Sequence, residues 1–161
     1  MIRTAKLEDA SRLCSIYNHY VENSIVTFEE EAVTTQDMQD RIGLASEKYP
    51  WLVYDLGAAL AGYAHASPWK SRCSYRFSVE TTIYLTPNQQ GRGIGSDLYR
   101  RLITELRKTS CHSLIAGIAL PNDTSIAFHE KLGFEKIGHF KEVGWKFEKW
   151  IDVGYWELLL N

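Results

Sequence analysis

The sequence is poor in cysteine and has no large excess of either charge. Its three cysteines, Cys14, Cys73 and Cys111, lie far apart among 161 residues and in no CxxC spacing. This argues against a disulfide framework or a metal site and favours reduced thiols in a reducing compartment. The formal net charge is -2 and the charges are interspersed, whereas binding to nucleic acid needs a basic excess or stripe. We therefore expect no metal and no nucleic-acid partner.

Long apolar runs are also missing. No stretch approaches the length that crosses a bilayer, and no basic segment followed by an apolar run opens the chain as in a signal peptide. No internal repeat, low-complexity segment or linker divides it. We therefore expect a cytoplasmic protein without membrane association, folded as a single domain over residues 1–161, an ordinary size for one hydrophobic core.

The hydrophobic pattern predicts strands and helices in a mixed order. We expect strands at 2–6, 51–55, 60–67, 75–85 and 114–119, and two aromatic-rich strands around 139–143 and 153–160. We expect helices from 8 onward, from 34 to about Lys48, after the glycine cluster at 91–95, and over 122–133. The order β-α-α-β-β-β-α-β-α-β-β predicts an α/β protein with a mixed sheet flanked by helices.

One predicted strand carries a carboxylate opposite its apolar row. Polar residues, Glu80 among them, alternate over 75–85 with Phe77, Val79, Ile83 and Leu85. Glu80 suits a general base, although a solvated strand glutamate explains the pattern equally well.

The segment Gln90-Gly91-Arg92-Gly93-Ile94-Gly95-Ser96 lies between a predicted strand and a predicted helix. Its glycines let the backbone N–H groups converge at the helix start, where they form a phosphate site to which Arg92 adds charge and Ser96 a hydroxyl. A Walker loop would end in Gly-Lys-Ser/Thr, and the GxGxG spacing in mid-chain does not fit a dinucleotide fingerprint. A glycine-rich turn without a ligand is the alternative.

Two spaced motifs together resemble the GNAT superfamily of N-acetyltransferases. They are Gln90-x-x-Gly93-x-Gly95 and Asn122-x-x-Ser125-x-x-x-His129-x-Lys131-x-Gly133-Phe134. The resemblance implies the GNAT fold, a central mixed, mostly antiparallel twisted sheet flanked by about four helices. Stretches from end to end are similar to the phosphinothricin and methionine sulfoximine acetyltransferases, among them 17–21, 67–72, 79–85, 120–123 and 150–156.

The resemblance implies transfer of an acetyl group from acetyl-CoA to the amine of a small amino-acid-like substrate, with Glu80 as general base. The implied cofactor-binding residues are Ile83, Tyr84, Leu85, Gly91, Arg92, Gly93, Ile94, Gly95, Ser96, Asn122 and Ser125. The implied substrate-binding residues are Phe28, Lys70, Arg72 and Tyr75. By composition alone, Lys70 and Arg72 would be surface cations; an arginine fork also suits a carboxylate or phosphinate.

His129 stands where many GNAT enzymes have a tyrosine. It shares a helix face with Asn122 and Ser125, and its role as acid, base or pocket wall stays open. Two alternatives to the small-amine enzyme also stay open: an acetyltransferase of protein N-termini or polyamines, and a non-catalytic acyl-CoA-binding module. The subfamily resemblance implies a homodimer, and the aromatic strands around Trp145 and Trp156 suggest its interface.

Overall fold

A computed structural model describes residues 1–45 and 49–160. Its strands and helices follow the predicted order, with short 3-10 turns between them. They are β1 (Ile2–Thr4), α1 (Ala10–Asn23), α2 (Thr35–Ala45), β2 (Trp51–Asp55), β3 (Leu60–Pro68), β4 (Ser78–Leu85), α3 (Ile94–Leu106), β5 (Ser113–Ala119), α4 (Asp123–Lys131), β6 (Glu135–Lys146) and β7 (Lys149–Leu159).

The strands form one seven-stranded sheet in the order β1-β2-β3-β4-β5-β7-β6. Pairing is antiparallel between β1 and β2, β2 and β3, β5 and β7, and β6 and β7. It is parallel between β4 and β5, where Ser78 faces Ser113 and Glu80 faces Ile115. The prediction of a mixed, mostly antiparallel sheet with four helices is confirmed.

Several predicted boundaries differ from the observed ones. The strand expected from residue 75 begins at Ser78, because the preceding residues form a 3-10 turn in which the Tyr75 amide donates to the Arg72 carbonyl at 3.0 Å. The first strand ends at Thr4. The last two strands are longer than expected, since the hairpin extends β6 to Lys146. The predicted helix end near Lys48 lies outside the described residues.

The predicted cap of α2 is confirmed. The Thr34 hydroxyl accepts from the Asp37 amide at 3.1 Å, and the Asp37 carboxylate accepts from the Thr34 amide at 2.9 Å. This reciprocal pair satisfies two backbone donors at the helix start, as a capping box does.

The chain contacts divide into two compact units, of which the first contains Met1–Asn18, Val33–Ser67 and Thr81–Ser110. Here α3 packs on β2, and the hydroxyls of Thr81 and Tyr99 share a buried hydrogen bond of 2.7 Å. Trp51, Tyr63 and His65 stack on one another, with ring centroids of Trp51 and His65 4.1 Å apart. Aromatic packing therefore contributes to this core beside aliphatic side chains such as Leu98 and Leu102.

The second unit contains His19–Ala32, Pro68–Glu80 and Cys111–Asn161. Trp156 lies in its core with 1% of its surface exposed, and its indole N–H donates to Glu130. Trp156 itself is therefore a core residue, because its alternation along β7 points it inward. Trp145, on β6, is 48% exposed.

No helix among the described residues is long and apolar enough to span a bilayer.

Candidate active site

The glycine segment forms a tight entry into α3. Gly91 and Gly93 have φ of +73° and +81°, a region that side chains with a Cβ rarely adopt. Gly93 is the N-cap and no side chain caps the helix, whose first turn contains Ile94, Gly95 and Ser96. The first backbone N–H groups of α3 have no intrahelical acceptors, so this helix start suits a phosphate. The exposed Arg92 lies inside the same turn.

The end of β4 is fixed by close contacts within the first unit. The Tyr84 ring lies 5.1 Å from that of Tyr17 and 5.6 Å from that of Tyr63, measured between centroids. A Cβ built on Gly62 would come within 2.6 Å of the Tyr84 carbonyl oxygen and 2.5 Å of Leu85 Cδ2. Gly62 therefore permits an approach that holds the backbone of Tyr84 and Leu85 in place. Ile83, three residues after Glu80 on the same strand, is half-buried.

Glu80 is half-buried in the second unit, beside Gly117 of β5. A Cβ built on Gly117 would lie 3.6 Å from Glu80 Oε1 and 3.2 Å from Cε1 of Tyr155. Burial raises the pKa of the Glu80 carboxyl, and the positive charge of Lys70 opposes that rise. A carboxylate with a raised pKa is better matched to accepting a proton near neutral pH.

Tyr155 is a site neighbour that the sequence pattern did not reveal. Its ring contacts the rings of Trp69 and Phe140 edge to face, at centroid distances of 5.4 and 5.3 Å. Burial, and then the charge of Glu80, raise the pKa of the Tyr155 phenol, so the hydroxyl keeps its proton at neutral pH. The one available signal was Gly117 inside an apolar strand, since such a glycine often marks a close approach.

Three of the four predicted substrate residues line one surface cavity of about 420 Å³. Its lining consists of Lys70, Ser71, Arg72 and Tyr75. The Lys70 ammonium lies 5.1 Å from the centroid of the Trp69 ring, a cation–π distance. The cavity therefore combines two cations with aromatic surface, which suits an anionic group on a small molecule.

The fourth predicted substrate residue, Phe28, is 41% exposed and lies against Gly144 of β6. It is not among the residues that line this cavity.

Helix α4 begins at Asn122, whose side-chain oxygen accepts from the Ser125 amide at 3.1 Å. His129 is buried, and its Nδ1 lies 2.8 Å from the Ser125 carbonyl oxygen. A carbonyl only accepts, so Nδ1 carries the proton and the neutral ring has its lone pair at Nε2. Burial lowers the pKa of His129. The neutral imidazole therefore suits a proton acceptor or a pocket wall better than a proton donor.

Among residues 1–45 and 49–160, no group of three or more histidine, cysteine, aspartate or glutamate side chains is placed to hold a metal ion.

Comparison with known proteins gives the family. Residues 2–154 match the acetyltransferase (GNAT) domain family. The phosphinothricin N-acetyltransferase of Streptomyces viridochromogenes is 40% identical over 156 residues, which cover 97% of this chain and 85% of the relative.

Two solved structures are similar over nearly the whole chain. A ribosomal-protein-alanine N-acetyltransferase from Brucella melitensis matches with a TM-score of 0.97 and 35% identity, covering 99% of each chain. A GNAT superfamily phosphinothricin acetyltransferase from Sinorhizobium meliloti, in complex with AcCoA, matches with a TM-score of 0.95 and 34% identity, covering 100% of this chain and 88% of that one. The predicted resemblance is confirmed: the chain belongs to the GNAT family of acetyltransferases.

Proposed function

We propose that this acetyltransferase moves the acetyl group of acetyl-CoA to the amine of a small amino-acid-like substrate, of the phosphinothricin or methionine sulfoximine kind. The observation that carries the proposal is the cavity lined by two cations, Lys70 and Arg72. Lys70 lines this cavity with Arg72 and Tyr75. Its positive charge also opposes the effect of burial, which raises the pKa of the half-buried Glu80 carboxyl. Such a site pairs a group that binds an acidic substrate with a base for its amine.

Acetyl-CoA supplies the activated acetyl group, and the residues present fit it. The helix start at Gly93 and the N–H groups of 94–96 suit the pyrophosphate, with Arg92 adding charge. The backbone of Ile83, Tyr84 and Leu85 would bind the pantetheine arm and polarise the thioester carbonyl. Asn122 and Ser125 are proposed to contact the same arm.

In the proposed mechanism Glu80 accepts the ammonium proton of the bound amine, directly or through a water. The free amine then attacks the thioester carbonyl, and backbone N–H groups of β4 stabilise the oxyanion. Collapse of the oxyanion breaks the C–S bond, so that CoA leaves as a thiolate and takes up the proton that the amine nitrogen loses. His129 in its neutral form serves as a second proton acceptor or as a wall of the pocket, since its resting tautomer has no proton at Nε2.

Glu80→Gln tests this role. We expect the turnover number to fall by about a hundredfold or more, while the apparent affinity for acetyl-CoA stays within a factor of about three. Glu157→Gln is the matched control, because Glu157 is also a half-buried strand glutamate, hydrogen-bonded to Ser113 at 2.6 Å. It should keep turnover near the wild-type value. Wild-type turnover in Glu80→Gln across the pH range would remove Glu80 from the mechanism.

The acceptor is tested by release of free CoA in the presence of a panel of amines. The panel contains phosphinothricin, methionine sulfoximine, methionine, spermidine and a peptide with N-terminal alanine. We expect the acidic amino-acid analogues to be preferred. The similarity to a ribosomal-protein-alanine N-acetyltransferase favours the peptide as the second candidate. Preference for the peptide would support that alternative, and no turnover with any amine would support a binding module.

We also propose a homodimer, supported by large apolar side chains left exposed on the β6–β7 hairpin. Phe140, Trp145, Phe147 and Trp150 are exposed by 48 to 62%, and exposed apolar patches commonly mark interfaces. Sedimentation velocity should give a dimer that Trp150→Glu weakens. A monomeric wild type at micromolar concentration would contradict this.

Residues 1–161 are proposed to act as one domain in the cytoplasm. A single cooperative calorimetric transition is expected for the chain, and two separable transitions would refute the single domain. Cell fractionation tests the compartment.

A further inference from the structure

The segment that carries Phe28 meets β6 at two places within the second unit. The ammonium of Lys146, which is 2% exposed, donates to the Thr27 carbonyl at 2.8 Å. Two residues earlier on β6, Gly144 lies beneath the Phe28 ring. Consecutive residues of the segment therefore contact alternate residues of one strand, which point to the same face.

The Lys146 contact is specific rather than general packing. A buried ammonium loses hydration, and that cost must be offset by hydrogen bonds or opposite charge. Burial lowers the pKa of Lys146, while the charges of Glu30 and Glu29 oppose the shift. Those carboxylates belong to the same segment as Thr27. The lysine thus interacts with the 27–30 segment through one carbonyl and through its charge.

The Gly144 contact depends on the missing Cβ. A Cβ there would come within 2.4 Å of Cε2 and Cζ of Phe28 and 3.0 Å of Cε1. The ring lies against the strand backbone, so any side chain at this position would displace it. Gly138, on the same strand, provides the contrast, because a Cβ there would meet nothing within 4 Å.

We propose that Lys146 and Gly144 are positioning residues which hold the Phe28 ring in place as a wall of the acceptor pocket and thereby set which amine side chains the enzyme accepts. This inference rests on the proposed function, extended by the role that the family resemblance implies for Phe28, contact with the acceptor.

Gly144→Ala is the first test, with Gly138→Ala as the matched control. The added methyl group should displace the exposed ring without unfolding the protein. We expect the Michaelis constant for methionine sulfoximine to rise roughly tenfold, while the turnover number, the Michaelis constant for acetyl-CoA and the melting temperature change little. Gly138→Ala should match the wild type. Equal effects of the two alanines would overturn the proposal.

A double-mutant cycle with Phe28→Ala decides whether Gly144 acts through the ring. In the Phe28→Ala background, Gly144→Ala should add no further rise in the Michaelis constant. A rise that persists undiminished would show that Gly144 acts through other contacts and would refute the positioning role.

Lys146→Met tests the second contact, and Lys146→Arg is its conservative rescue. Amide hydrogen exchange over 24–32 should speed up about tenfold in Lys146→Met and return toward the wild-type rate in Lys146→Arg. Unchanged exchange in Lys146→Met refutes the hold on the segment, whatever the activity. Faster exchange in a protein whose wild type acetylates no amine would instead refute the proposed function, and with it the claim on specificity.

Discussion

Protonation of His65 should make the protein markedly less stable in mild acid. His65 is stacked on Trp51, and burial lowers its pKa from 6.5 to about 4. The unfolded chain therefore binds a proton in a range where the folded chain does not. Stability is full above the unfolded pKa of 6.5 and is lost as pH falls from there through about 4.

The magnitude follows from that difference in pKa. Each tenfold change in proton affinity corresponds to about 1.4 kcal/mol, so the complete loss at low pH is about 3 kcal/mol. Between about pH 7 and about pH 5 the loss is about 2 kcal/mol. This is a large fraction of the 5–15 kcal/mol that typically stabilises a native protein.

Urea unfolding of wild type and His65→Phe at the two pH values measures the effect. The phenylalanine keeps an aromatic ring in the stack and does not titrate, so it should lose about 2 kcal/mol less on acidification. Other titrating groups are common to both proteins and cancel in the comparison. Tyr63→Phe is the control. Burial raises the pKa of Tyr63 well above 10, so this variant should lose as much stability on acidification as the wild type does. Equal losses in wild type and His65→Phe would refute the reasoning.

The remaining predictions concern the site and the ion pairs. Lys70→Met removes the charge that opposes the raised pKa of Glu80, so the acid limb of the kcat/KM profile should move to higher pH; Lys70→Arg should leave the limb in place. Gly117→Ala brings a methyl group to 3.2 Å from the Tyr155 ring and should lower kcat roughly tenfold, and an unchanged kcat would argue against a tightly packed site there. The pKa of Asp9 is lowered to about 2, and the largest cause is its hydrogen bond from Arg3. The lowered pKa of Asp9 stabilises the folded protein by about 2 kcal/mol. This stabilisation is present above the pKa of the unfolded chain and is lost as pH falls through about 2. In denaturant titrations Asp9→Asn should therefore be less stable near neutral pH by about this amount, and the difference should vanish in strong acid.

Local sequence signals predicted most of the fold. The Thr34–Asp37 cap and the glycines at 91 and 93 depend on backbone geometry within a few residues, which composition and spacing report directly. The alternation that placed Glu80 opposite an apolar row is equally local.

Contacts between residues distant in sequence could not be predicted from the sequence pattern. Tyr155 lies beside Glu80 only because β5 and β7 pair with Gly117 opposite Tyr155. Lys146 lies outside the predicted strand around 139–143, and its burial depends on a segment 119 residues away. Register and tertiary contact, which single-residue preferences do not encode, decide both positions.

The carboxamide oxygen and nitrogen of Asn122 are available for different interactions. The carboxamide oxygen is committed to the Ser125 amide at the start of α4, which leaves the NH₂ group as the part that can donate to a bound molecule. An aspartate here would keep the acceptor and remove the donor. If Asn122 contacts acetyl-CoA as proposed, folding and ligand binding constrain different atoms of one residue, and selection can retain the first requirement after the second has been lost.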